Sequence, residues 1–413
     1  MTRYRVAVVA SHPIQYHAPW FRGLAEVVDL EVFFCHRQDG AGQAAAGFGV
    51  EFEWDVPLLD GYSHTWLTNR SRNPGVSSFA GCDTPDIAER LERGGFDACI
   101  VSGWYLKSYV QAIRACRRCG IPVLVRGDSW LGTSRSAVRT AVKYLPYRWL
   151  LTHIDAFLYV GQANREYLRH YGVPESRLFF SPHFVDNAFF ASRARDARES
   201  DAARQIRATL GIPVDATVYA FGGKLVENKR VADFVSAVDA ARHTRERIWG
   251  MVIGSGPLES DLKRLTADLS VPVRFAGFQN QTALPRFLAA ADAVVLPSQS
   301  ETWGLIVNEA MACGLPAIVS TGTGCAADLI AAGTGAIFHT GDVRELADAL
   351  LRLDEALATN RPAIRQALES KLSRYSCEAA VRGAVEALES VVRSDENQTV
   401  KTAQHPGRAG LRI

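Results

Sequence analysis

Short β-rich apolar runs alternate along this chain with amphipathic segments of helical period, and the alternation is written twice. In the first half the runs are Arg5–Ala10, Leu30–Cys35, Ala98–Ser102, Pro122–Val125, Ala156–Val160 and Leu178–Ser181. In the second half they are Thr217–Phe221, Trp249–Ile253, Val273–Ala276, Ala293–Leu296, Ala317–Val319 and Ala336–Phe338. Segments such as Arg230–Ala241 and Leu258–Leu269 supply the helices between them. Such an alternation buries its apolar runs in parallel sheets covered by helices on both faces. Two doubly wound α/β domains are therefore predicted, and 413 residues suffice to give each its own core. The boundaries are a first domain over 1–185, a charged Ala- and Arg-rich linker over 186–207 and a second domain over 208–374. A last helix follows over 375–393, and the polar tail, 394–413, reads as disordered.

Composition narrows the function classes. A formal net charge of +2 is too small to mark a nucleic-acid binder. The eight cysteines are irregularly spaced, and the one C-x-x-C, Cys116 and Cys119, has no second pair or histidine cluster. A reducing cytoplasm suits this usage better than a disulfide or zinc framework. The apolar run Val6–Ala10 is too short for a signal-peptide core, and no stretch approaches the roughly 18–20 residues of a membrane span. A soluble or peripheral protein is expected. Between Lys107 and Arg148 nine basic residues face one acidic one, Asp128, and are interleaved with Tyr144, Tyr147 and Trp149. That excess predicts either a peripheral contact with anionic membrane or a set of solvated basic helix faces.

Ligands of open α/β sheets bind at the carboxyl ends of the strands. In the second half those ends carry Gly222-Gly223-Lys224 with Lys229 behind, then Gly254-Ser255-Gly256, then Gly277-Phe278, then Pro297-Ser298 leading to Glu301. A helix from about Gly304 to Cys313 points its N-terminus at the same rim and stops at Gly314 and Pro316. Two lysines, glycines that admit a ligand to the backbone, and a helix N-terminus describe a diphosphate site. Glu309, among Leu305, Ile306, Val307, Ala310 and Met311, needs a partner if buried, and ribose hydroxyls would provide one. Trp303 reads as packing or stacking, and Phe278 as a surface on which a nucleobase can lie. A dinucleotide-dependent hydride enzyme fits less well. The nearest fingerprint, Gly254-x-Gly256-x-x-Glu259, lacks its third glycine and the acidic residue some twenty positions on.

Glu301-x7-Glu309 followed by Ala-Met-Ala-Cys-Gly-Leu-Pro resembles the E-x7-E signature of the family 4 retaining glycosyltransferases. "FGGKLVENKR" is similar to that family's G-R-L-x-x-E-K-G loop, with Lys224 at the arginine position, and "SPHFVDNAFF" to its P-N-G-V-D linker segment. "VIGSGPLESDLKRL" and "VRFAGF" resemble its next two strands. The resemblance covers the whole second domain in order. It implies a GT-B fold, two Rossmann-like domains facing across a cleft, and a nucleoside-diphosphate sugar as co-substrate, with no other cofactor. It implies Glu309 on the ribose, Glu301 on a sugar hydroxyl, Lys224 and Lys229 on the diphosphate, and the amides of Trp303, Gly304, Leu305 and Ile306 on sugar and phosphate. The absence of any Asp-x-Asp predicts a metal-independent transferase.

The first domain matches less well. It has "SHPIQYHAPWF" where many members have a glycine pair; a related subset, with diverse acceptors, shares the start of that segment. His12, Gln15 and His17 are the acceptor-side candidates. Many members carry a histidine where this chain reads "VLVRGDSW", which makes Asp128 the candidate active-site residue; a pair with Arg126 or a helix cap is its alternative. The acceptor is expected to be a cell-surface glycan, a lipid-linked sugar or a small molecule. A sugar-nucleotide epimerase, a phosphorylase and a non-catalytic GT-B scaffold are the alternative functions.

Overall fold

A computed structural model describes the backbone of residues 3–132 and 137–403, and all of their side chains but those of 46, 137–141 and 393–403. The first domain holds β1 (Arg5–Ala10), β2 (Asp29–Phe34), β3 (Ser63–Trp66), β4 (Ala98–Val101), β5 (Val123–Gly127), β6 (Ala156–Tyr159) and β7 (Leu178–Phe180). They form one parallel sheet in the order β3-β2-β1-β4-β5-β6-β7. The second holds β8 (Thr217–Gly222), β9 (Ile248–Ile253), β10 (Val273–Gly277), β11 (Ala293–Leu296), β12 (Ala317–Ser320) and β13 (Gly335–Phe338), in the parallel order β10-β9-β8-β11-β12-β13.

The apolar runs are continuous because both faces of each sheet are covered. Along β1, Ala7 and Val9 enter one core while Val6, Val8 and Ala10 enter another. Along β8, Tyr219 and Phe221 pack on one side, Val218 and Ala220 on the other. The period of two thus divides each strand between two cores, and alternation with polar residues disappears. β3 escapes the sequence reading for the opposite reason. Ser-His-Thr-Trp is a half-exposed edge strand without an apolar run.

Two expectations are corrected. Residues 186–207 are not a linker but two helices, Asn187–Glu199 and Ala202–Thr209. Asp186 caps the first by accepting from the Phe189 amide at 2.9 Å. Alanine and arginine are strong helix formers, and Phe190, Ala194, Ala197 and Ala203 are buried against Val218, Ala220 and Leu288 of the second domain. The last helix runs from Cys377 to Ala403, past the expected break at 394, while 404–413 lie outside the described residues. It also returns to the first domain: Ala380, Ala384, Ala387 and Leu388 bury against the core of Val6, Val8, Trp20 and Phe21.

The helix packs closely enough that the Ser181 hydroxyl donates to the Ala380 carbonyl at 2.8 Å. A Cβ on Gly383 would stand 1.8 Å from the Phe180 carbonyl oxygen. Gly383→Ala gains about 1 kcal/mol of helix propensity, but the backbone overlap should cost more than that, for a net loss of about 1–3 kcal/mol. Denaturant unfolding of the two proteins measures it; an unchanged or higher midpoint would show the helix seated elsewhere.

Candidate functional site

Each sheet reverses its strand order once, between β1 and β4 and between β8 and β11, and the crevice beyond the strand ends opens there. The two crevices face each other as one cleft of about 800 Å³. His12, Gln15 and His17 line it after β1, and Asp128 after β5. From the second domain come Gly222, Gly223, Lys224 and Lys229 after β8, Gly254 after β9, and Phe278 after β10. Glu301, Trp303, Gly304, Leu305, Ile306 and Glu309 complete that wall. Gly256 alone among the candidates stands back. Its absent side chain makes room for the Leu225 backbone, which a Cβ would approach to 2.7 Å.

The donor-side carboxylates have different surroundings. Glu301 is fixed by its main chain, its amide donating to Gly322 at 2.8 Å, and its carboxylate pairs with Lys229. Glu309 lies inside the helix Leu305–Ala312 and is almost wholly buried. Its partners are the Tyr16 hydroxyl, donating at 3.0 Å from the first domain, and the Gln281 amide at 3.3 Å. Burial pushes its carboxyl up to about 7, against the opposing pull of those two hydrogen bonds. Gly304 caps the helix at φ 99°, where a Cβ would also meet Leu296 at 2.6 Å, so that position requires glycine. Leu305 and Ile306 of its first turn line the cleft, and first-turn amides have no intrahelical partner. Lys224 stands 4.6 Å over the Phe48 ring, its pKa lowered by burial and by the charge of Lys229. Trp303 is a packing residue: its indole N–H donates to Asn308 at 2.8 Å and its ring lies against His183 and Tyr375.

On the opposite wall Asp128 keeps 44% of its side-chain surface open to the cleft, with His183 Nε2 3.8 Å away. Burial pushes the carboxyl up, but the neighbouring His183 and Thr302 side chains outweigh it and hold Asp128 below the usual range. His183 is itself held low by burial, so at neutral pH the pair is a carboxylate beside a neutral imidazole. Arg126 is not its ion-pair partner; it donates to the Pro182 carbonyl at 2.9 Å and lies over the Trp20 ring. Burial also holds His12 at about 4 and His17 at about 3. Both are neutral near pH 7. His12 Nδ1 meets the Ser11 hydroxyl at 3.0 Å, whereas buried His17 Nδ1 has no protein partner.

His183, Tyr16 and Gln281 were not among the candidates. His183 stands where the P-N-G-V-D pattern has asparagine, and that departure was its one signal. Tyr16 lies inside the quoted "SHPIQYH", but nothing in a sequence places it against Glu309 of the other domain. Gln281 carries no signal. Cys116 is buried and Cys119 exposed, so the C-x-x-C does not face one site.

The raised pKa of Glu309 has a stability consequence. Between its ordinary value of 4.5 and about 7 the folded chain holds a proton that the unfolded chain releases. Stability contributed by this group is therefore full below 4.5, falls as pH rises through that window, and is level above it. Glu309→Gln removes the titration, so the melting temperature of the variant relative to the parent should climb from pH 4.5 to 7. A difference that stays constant across that range would mean an ordinary Glu309.

Comparison with known proteins completes the picture. The family model described as "Glycosyl transferase 4-like domain" matches residues 13–182, and "Glycosyl transferases group 1" matches residues 203–395. A GDP-mannose-dependent monoacylated alpha-(1-6)-phosphatidylinositol monomannoside mannosyltransferase of Corynebacterium glutamicum is 30% identical over 209 residues, 49% of this chain and 53% of that protein. A D-inositol 3-phosphate glycosyltransferase of Mycobacterium leprae is 34% identical over 175 residues, 40% of this chain and 41% of the relative. These matches thus span about half or less of the curated relatives. Among solved structures, Anabaena Alr3699/HepE in complex with UDP and glucose superposes with a TM-score of 0.67 at 14% identity, over 94% of this chain and 100% of that one. Sucrose-phosphate synthase of Thermosynechococcus elongatus gives 0.67 at 18% identity, over 95% and 100%. With two matching models and this two-sheet fold, the chain belongs to the family 4 glycosyltransferases of GT-B fold.

Proposed function

We propose that the protein is a retaining glycosyltransferase that moves a sugar from a nucleoside-diphosphate sugar to a hydroxyl of a glycan, lipid-linked or small-molecule acceptor. The observation that carries this reading is the joint lining of one cleft: the diphosphate, ribose and sugar candidates occupy one wall, and Asp128, His12, Gln15 and His17 the other. The relatives support it, one named for GDP-mannose and a phosphatidylinositol mannoside, another for an inositol phosphate, as does a structural neighbour holding UDP. In this reading the diphosphate settles at the first turn of the helix Leu305–Ala312 between Lys224 and Lys229, which stabilise the charge that grows as the glycosidic bond breaks. The leaving phosphate oxygen takes the acceptor proton on the same face, so no strong base is needed. Asp128, ionised and open to the cleft, orients the acceptor hydroxyl or the donor sugar.

The enzyme reading is tested at Lys229. Charge-assisted bonds to phosphate contribute roughly 1.5–3 kcal/mol, so Lys229→Ala should cut kcat/KM at least about tenfold. It should also weaken nucleoside diphosphate binding while leaving bare nucleoside affinity unchanged. Equal affinity for the diphosphate in both proteins would make Lys229 a partner of Glu301 alone. Acceptor-dependent release of nucleoside diphosphate separates transfer from epimerase, phosphorylase and scaffold readings.

A peripheral membrane contact belongs to the same reading, with its surface redrawn. Lys107 is paired with Asp83 and Arg126 is buried, so neither faces lipid, and Arg135 and Arg139 have side chains outside the described residues. Tyr144 and Tyr147 turn inward onto Tyr171. The outer face of the helix Ala137–Thr152 instead presents Val142, Leu145 and Trp149, 70%, 71% and 66% exposed, flanked by Lys143 and Arg148. That helix contains no acidic residue. An exposed apolar stripe with cationic flanks fits an anionic bilayer. Among the described residues no helix is long and apolar enough to cross a membrane. The protein should sediment with phosphatidylglycerol vesicles in a salt-sensitive way, and Trp149→Glu should abolish this; equal binding to phosphatidylcholine vesicles, or none to either, removes the contact.

A further inference from the structure

A segment of the first domain, residues 39–55, crosses the cleft and lies on the donor wall. The Ser255 hydroxyl donates to the Phe48 carbonyl at 2.6 Å, and the Asn280 side chain to the Glu53 carbonyl at 2.7 Å. Asp55 accepts from both the amide and the hydroxyl of Thr282. Gly49, at φ 70°, turns the strap beside Gly256 of the donor wall, 3.6 Å from where a Cβ would stand. The rings that the strap carries occupy donor surfaces. Phe52 lies 4.4 Å from Phe278, centroid to centroid and tilted 39°, leaving no space for a base between them. Phe48 lies under Lys224, and Trp54 closes edge-on against Phe52 at 4.9 Å. Further along the cleft, Tyr16 holds Glu309.

Three second-domain groups read as contacts for base, diphosphate and ribose are thus each held by a first-domain aromatic. We propose that Phe52, Phe48 and Tyr16 stand in for the nucleotide in the donor-free protein, and that a nucleoside diphosphate enters by exchanging them, releasing the 39–55 strap from the donor wall. This rests on the reading of Phe278 and Glu309 as nucleotide contacts. The stand-ins imitate in part what replaces them: a flat ring against a ring, a π face under an ammonium, a hydroxyl donating to a carboxylate. Phe52 is then a positioning residue for donor selection, because a base must outcompete it for the face of Phe278. Ligand affinity is lowered by whatever fraction of the protein holds the strap down. An aromatic pair of this kind biases that fraction roughly two- to tenfold.

The test uses the full chain with UDP, GDP, ADP and dTDP as probes, in calorimetry and in hydrogen exchange. With a diphosphate that binds, amide exchange over 40–55 should speed up as the strap is released. Phe52→Ala should bind the same diphosphate about two- to tenfold more tightly. Protection or no change over 40–55, or equal or weaker binding by Phe52→Ala, overturns the proposal and makes the strap a fixed wall of the site. The exchange measurement needs no variant, so it stands even if Phe52→Ala fails to fold. If none of the four binds the parent protein, the donor reading fails and the proposal falls with it. Binding without release removes the proposal alone.

Discussion

Burying both faces of a parallel sheet leaves a chain few places to put polar chemistry. Strand interiors in both domains are apolar on either side, so the sheets' loops at the strand ends must hold whatever binds and reacts. Where the strand order reverses, neighbouring loops part to opposite faces and leave a crevice. Two such crevices, set face to face, make the cleft. The positions of Lys224, Glu301, His12 and Asp128 follow from that one constraint: each stands in the loop that begins at the carboxyl end of a strand and lines the cleft.

Each carboxylate of the cleft has a polar neighbour within the protein. Lys229 answers Glu301, His183 and Thr302 answer Asp128, and Tyr16 with Gln281 answers Glu309. Bare burial of any of these carboxylates would cost several kcal/mol, and the donor-free protein avoids that cost with its own side chains. A ligand that binds here gains the difference between its contacts and those it displaces. The net gain therefore favours groups that a hydroxyl or an aromatic ring imitates only in part, and a doubly charged diphosphate is such a group. Neither Phe48 beneath Lys224 nor Glu301 beside Lys229 matches its charge and its several acceptor oxygens.

The fold was legible wherever geometry dictates residue type. Twelve of the thirteen strands among the described residues coincide with an apolar run to within two residues at either end, because two-sided burial permits little else. Gly304 and Gly314 mark the ends of the donor helix because both stand at positive φ. The same holds for the donor wall, whose lysines and glutamates sit at spacings set by the strand–loop–helix unit. Legibility failed where partners are far apart in sequence. Tyr16 and Glu309 are 293 positions apart, and no local rule joins them. The helices over 187–209 failed differently: their alanines hide an apolar face inside a composition that reads as a charged linker.

Among the described residues the chain crosses between the domains twice, and both crossings meet at one corner. The first leaves β7 toward Asn187; the second passes Tyr375 into the last helix. Asn187 donates to the Tyr375 carbonyl at 3.1 Å, Tyr375 lies against Phe180, and its hydroxyl donates to Asp328 at 2.8 Å. This corner is covalently continuous and centred on buried Tyr375, whereas the strap over Phe278 is held by a few hydrogen bonds and half-buried aromatic contacts. Such bonds contribute about 0.5–1.5 kcal/mol each, so the strap is the weaker of the two connections. A rotation that separates the domains would pivot at the corner and part the strap first. Entry to the donor wall and movement of the first domain would then be one event, with Tyr16 leaving Glu309 as the domain that carries it turns away.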